Sequence, residues 1–114
     1  MAHDAELRFI EFAREHGRAT LSGTARETNK AYDNAITALR ELRQTPDKGV
    51  SALIRHLQDD DLSVVNWSAL CLLPFRELEA VAALERVARS GQRHTGFAAE
   101  MTLREWGAGR LKVE

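Results

Sequence analysis

The run Leu62–Leu73, LSVVNWSALCLL, is apolar on nearly every side when it is wound as a helix. Val64, Val65, Trp67, Ala69, Leu70, Cys71, Leu72 and Leu73 leave no continuous polar stripe. An amphipathic helix needs cover on one face, whereas this one needs cover all round. The chain must therefore place it centrally, with neighbours packed before and after it. Pro74 sets its end, because proline has no N–H to donate and clashes with the turn before it. No segment alternates apolar and polar residues with β-branched enrichment, so no strands are predicted and the cover must be other helices.

Five such helices are predicted. The first runs from about Asp4 to His16, with Leu7, Ile10 and Phe12–Ala13 on one side and Gly17 as its stop. The second opens on Thr24 and Glu27, which have the spacing of a capping box. It reaches about Arg43 with Ala25, Thr28, Tyr32, Ala35–Ile36, Leu39 and Leu42 inward. The turn TPDKG, with Pro46 suited to a first helical position, leads to a third helix carrying Val50, Leu53–Ile54 and Leu57. Asp59, Asp60 and Asp61 end it and cap the central fourth helix. The fifth, about Arg76–Arg89, turns Leu78, Val81, Leu84 and Val87–Ala88 inward and closes at Ser90-Gly91. The sixth carries Phe97, Ala98, Met101, Leu103 and Trp106 and ends at WGAG. Most joints are short, so consecutive helices should be antiparallel neighbours.

A register links these pieces. A shift of thirty places lays Trp67 on Phe97, Ala69 on Ala99, Cys71 on Met101 and Leu73 on Leu103. The same shift lays Ile54 on Leu84 and Leu57 on Val87. Two helices aligning in order at one shift is the pattern of an α-solenoid, in which each unit needs its neighbour to complete its core. The expected architecture is an all-α domain of about six helices, a short right-handed solenoid spanning residues 1–114. Residues 1–22 would form an N-terminal capping helix and loop, and 23–114 the stacked helix pairs.

The segment DDDLSVVNWSALCLL resembles the HEAT-like repeat, with its acidic turn, valine pair and alternating small and large apolar residues. As an ordered set, NKAYDNAITALRELR, LCLLPFRELEAVAALERVA and GFAAEMTLREW are similar to a family of small, uncharacterised bacterial HEAT-like proteins. The likeness covers about Asn29 to Leu111. That resemblance implies the fold and no catalytic residues. HEAT-like repeats often carry Arg just after the valine, and Asn66 stands there in this chain.

Composition narrows the class of partner. The 114 residues include 16 basic and 17 acidic side chains, for a formal charge of −1, with the signs interleaved. A chain built to hold phosphate backbones is usually clearly basic. One cysteine, Cys71, excludes an internal disulfide and fits a reducing compartment. The opening MAHDAELRFIEFAREHG lacks the apolar core of a signal peptide, and no stretch approaches the roughly 20 apolar residues of a membrane span. The expectation is a soluble cytoplasmic chain. Asn66-Trp67-Ser68 then matches a glycosylation sequon by chance.

Chemistry-bearing residues are sparse. His3, His16, His56 and His94 stand far apart, without metal-ligand spacing, so neither a metal nor any other cofactor is expected. Asp59–Asp61 lack the spacing of a calcium loop. Cys71 lies on an apolar helix and reads as a core thiol. Trp67 and Trp106 read as core anchors. Glu105 falls inside the apolar arc of the sixth helix, where pairing with an arginine, or a place beyond the core near the helix end, would account for it; a functional carboxylate is the minority reading.

Solenoids bind along an extended surface, and in HEAT-like stacks the second helix of each pair lines the concave side. In this chain those are the third and fifth helices, whose outward residues are Lys48, Ser51, Arg55, Gln58, Glu79, Arg86 and Arg89. The expected function is non-enzymatic binding of another protein. By analogy, an immunity protein neutralising a toxin, or an adaptor, is its concrete form. Asp59, Asp60 and Asp61 are the alternative contact surface. A second reading, from another class, is a glycosylase-like helical-repeat protein that approaches nucleic acid through concave-face arginines. A small-molecule enzyme ranks third, for want of site chemistry.

Overall fold

A computed structural model of the chain describes residues 2–114 and contains no strand among them. Its helices are α1 (Ala2–Ser22), α2 (Ala25–Leu42), α3 (Val50–Ile54), α4 (Leu62–Leu72), α5 (Glu77–Ala88) and α6 (Arg93–Gly107). They belong to two compact units, the first ending at Ala52 and the second spanning Leu53–Glu114.

In the first unit α1 packs on α2. The turn between them is set locally. Thr24 Oγ1 accepts the Glu27 N–H at 3.1 Å, and Glu27 Oε1 accepts the Thr24 N–H at 3.3 Å, which completes the predicted capping box. The buried residues include many small ones: Ala5, Ala13 and Ala19 on α1, and Ala31, Ala35 and Ala38 on α2, alongside Phe9, Ile10, Leu39 and Leu42. Arg8 pairs with Glu41 across the two helices at the surface.

Two expectations fail here. Gly17 does not stop α1, which runs on to Ser22 while the Gly23 N–H reaches Ala19 O at 2.8 Å. A glycine ends a helix by turning left-handed, and Gly17 stays helical while Ala19 beyond it is buried. Leu7, Ala25 and Tyr32 are exposed, because the buried stripe runs through Phe9 and the alanines further along each helix.

The turn into α3 needs glycine. Gly49 has φ +81, and a Cβ there would lie 2.9 Å from Leu42 Cβ. Asp47 ties the turn by accepting the N–H groups of Gly49 (3.1 Å) and Ser51 (3.0 Å). The third helix is shorter than expected. Beyond Ile54 the bonds reach back three residues, His56 N–H to Leu53 O and Leu57 N–H to Ile54 O, which tightens the chain into turns.

In the second unit α4, α5 and α6 pack on one another. As its composition requires, α4 is buried around its circumference; Trp67 is 8% exposed and Cys71 1%. Asp61 caps it, accepting the N–H groups of Ser63 (2.8 Å) and Val64 (3.2 Å). The inward faces expected for α5 and α6 are corrected. α5 buries Ala80, Ala83, Leu84 and Val87, and leaves Leu78 84% exposed and Val81 half-buried. α6 buries Gly96 and Ala99, and leaves Phe97 63% exposed, Ala98 exposed, and Met101, Leu103 and Trp106 partly covered. A Cβ on Gly96 would sit 3.4 Å from the carbonyl oxygens of both Val87 and Ala88. The α5–α6 contact is thus close enough to exclude large side chains, which turn outward.

Candidate functional site

All seven residues expected to face a partner are exposed. Lys48 and Ser51 belong to the first unit, and Arg55, Gln58, Glu79, Arg86 and Arg89 to the second. Lys48 is held left-handed at φ 59, and its carbonyl accepts from Arg43 at 2.8 Å. Ser51 carries part of the Asp47 network. Its hydroxyl is the largest of the hydrogen-bond influences that pull the Asp47 carboxyl down to about 2, followed by its own N–H.

Within the second unit Arg86 has a structural bond. Its guanidinium donates to Leu57 O at 2.5 Å, which holds the turn after α3 against α5. Arg55 and Gln58 belong to that turn. Glu79 receives a long bond from Arg76 at 3.4 Å. At 3.6 residues per turn, Leu78, Ala82, Glu85 and Arg89 form one outward ridge of α5, with Glu79 and Arg86 beside it. This ridge has the exposed Leu78 and Glu79 at its start and Arg86 and Arg89 two to three turns on, about 12–16 Å away along the axis.

Leu78 is the residue that pattern reading missed. Its signal lies in the small residues Ala80 and Ala83, which share the buried stripe with Leu84 and Val87 while Leu78 falls opposite.

The alternative surface, Asp59–Asp61, is occupied by backbone. Asp59 Oδ1 accepts the Asp61 N–H at 2.8 Å and Asp61 caps α4, while Asp60 is exposed. Among the described residues no group of three or more His, Cys, Asp or Glu could hold a metal. His16 packs on Tyr32 with ring centroids 6.1 Å apart, and burial lowers its pKa. Glu105 accepts two bonds from Arg110 Nε at 3.2 Å and one from a terminal nitrogen of the same guanidinium at 2.6 Å; that hydrogen bonding lowers the Glu105 pKa. Trp106 is partly exposed rather than a buried anchor, and its Nε1–H donates to Glu77 Oε2 at 3.0 Å.

An open groove of about 350 Å³ lies between α1 and α2, lined by Glu11, Phe12, Glu15, Glu27, Lys30, Ala31 and Asn34. Two of its carboxylates already have partners, Glu15 with Arg18 and Glu27 with the Thr24 cap. Among the described residues no helix is long and apolar enough to cross a membrane. No protein-family model, no curated protein and no solved structure matches the chain.

Proposed function

We propose that the chain is a non-enzymatic protein-binding module, an adaptor or inhibitor, that engages its partner through the outward ridge of α5 and the turn at residues 55–58. The observation that carries this reading is Leu78, 84% exposed, at the start of an outward α5 ridge that runs about 16 Å through Glu85 to Arg89, with Glu79 and Arg86 alongside. An apolar anchor on a ridge that also carries both signs of charge suits a protein surface, where aromatic or aliphatic cores sit beside polar rims. It suits a phosphate backbone less well, since two of the four charges repel phosphate. The thirty-place register supports the further reading that α3/α4 and α5/α6 are successive units of a HEAT-like stack. In both units the small residue at the shared position, Ala69 or Ala99, is fully buried.

The test is affinity capture from the native host, comparing the wild type with Leu78→Glu and Arg89→Glu. Both sites are exposed, so melting should shift by less than about 0.5 kcal/mol. Arg89 is chosen over Arg86 because reversing Arg86 would also break its bond to Leu57 O. A protein captured by the wild type and lost by both variants supports the proposal. A partner retained by both moves the binding surface off α5. Salt-sensitive binding to generic duplex DNA that Arg89→Glu abolishes favours the nucleic-acid reading instead.

A further inference from the structure

The opposite helix of the second unit carries a different surface. α6 meets its own unit through Gly96, Ala99 and the Trp106–Glu77 bond. Its outward side presents Phe97, 63% exposed, with Met101 partly exposed one turn on. At the matching positions of α4, Trp67 and Cys71 are 8% and 1% exposed. α6 thus repeats the aromatic and sulphur positions of α4 but leaves them exposed or half-exposed, on a face whose other residues are charged.

We propose that this ridge is covered by a second copy of the chain, with the two α6 helices antiparallel about a two-fold axis near Phe97. The charge order selects both the occupant and the direction. Arg93, Phe97, Glu100 and Arg104 share one stripe of α6, with a cation one turn before the aromatic and a carboxylate one turn after it. A two-fold interface must be self-complementary, each residue meeting its counterpart's partner. Antiparallel pairing at the level of residues 96–97 sets Arg93 of each copy against Glu100 of the other, twice, with the two Phe97 rings between them. Parallel pairing would set Arg93 on Arg93 and Glu100 on Glu100. Glu100 is already near Arg104 of its own helix at 3.8 Å, an exposed pair that the second arginine can join. Arg104 lies past the start of the opposing helix, one turn beyond its Arg93, with Glu100 of its own helix between the two cations. One helix face buries less than the roughly 1,200–2,000 Å² of stable complexes, so the association is weak, with Kd on the order of tens to hundreds of micromolar.

Sedimentation equilibrium from about 10 µM to about 1 mM spans that range. The average mass should rise from 12.8 kDa toward twice that value. Phe97→Glu should weaken association at least about tenfold, as should Arg93→Glu or Glu100→Arg alone, because each puts like charges across the axis. The double variant Arg93→Glu/Glu100→Arg restores both pairs and should return to within about threefold of wild type. Circular dichroism confirms the fold of each variant, and the charge series decides the matter if Phe97→Glu does not fold. A chain that stays monomeric throughout overturns the proposal. So does a dimer indifferent to Phe97→Glu, or a double variant as weak as the singles. Leu78→Glu should leave the dimer intact, which separates this surface from the α5 ridge.

Discussion

Trp67 on α4 and Phe97 on α6 stand thirty places apart at matching sequence positions, yet the structure buries the first and exposes the second. Replacing each with alanine therefore measures burial at matched sequence positions. Trp67 keeps only 8% of its surface exposed, so truncation removes nearly all of its contacts and leaves a cavity in α4's surroundings. Buried aromatic-to-alanine changes cost about 3–5 kcal/mol. Phe97 is 63% exposed, so about a third of that loss applies, roughly 1–1.7 kcal/mol. Alanine's better helix propensity returns about 0.5 kcal/mol. The expected costs are therefore about 3–5 kcal/mol for Trp67→Ala and about 1 kcal/mol or less for Phe97→Ala. The assay is urea unfolding followed by far-ultraviolet circular dichroism, since removing Trp67 changes the fluorescence reporter. Low micromolar protein keeps self-association out of the measurement. Costs within about 1 kcal/mol of each other would refute the account, because the two positions would then be equivalent in environment.

Ser68 is fully buried on α4 and its Oγ has no hydrogen-bond partner, so Ser68→Ala removes an unsatisfied hydroxyl. Its thermal melt should hold or rise by a few degrees, and a loss above about 1 kcal/mol would show that the hydroxyl is satisfied. Asp47 is pulled from 3.8 to about 2 in the folded chain, chiefly by the Ser51 hydroxyl. Because the folded value is the lower one, its stabilising contribution is complete above about pH 4 and is lost as pH falls through about 2. NMR titration of the Asp47 carboxyl should find the low midpoint, Asp47→Asn should flatten acid destabilisation in that window, and an unshifted midpoint would sink the argument. Cys71, 1% exposed, should react with a thiol reagent far more slowly in native buffer than in urea; equal rates would show that α4 is not covered.

Features that depend on neighbours along the chain were legible in the amino-acid order alone. The Thr24–Glu27 capping box and the Asp61 cap join groups two or three residues apart, so spacing determines them. The burial of α4 was equally legible, because a helix apolar all round has no face to leave in water; the helices packed on it, α5 and α6, both follow it in the chain. Exposure of the seven candidate contact residues followed from their polarity. The Arg86 bond to Leu57 O joins residues 29 apart and left no local trace.

The amphipathic helices are where tertiary structure decided. Periodicity identifies an apolar arc, but not which part of it meets the neighbour. Large side chains gain most from burial and so claim the core in any reading by pattern. Close helix contacts reverse that ranking, because alanine and glycine let the backbones approach and leave no volume for a leucine or an aromatic. Ala80, Ala83, Gly96 and Ala99 thus became buried while Leu78 and Phe97 turned outward, and Leu7 and Tyr32 followed suit in the first unit. Helix existence, caps and the need to cover α4 were determined by sequence. The surfaces proposed for binding, Leu78 on α5 and Phe97 on α6, exist because interhelical distance, a property only the packed chain possesses, selected small residues for the seams.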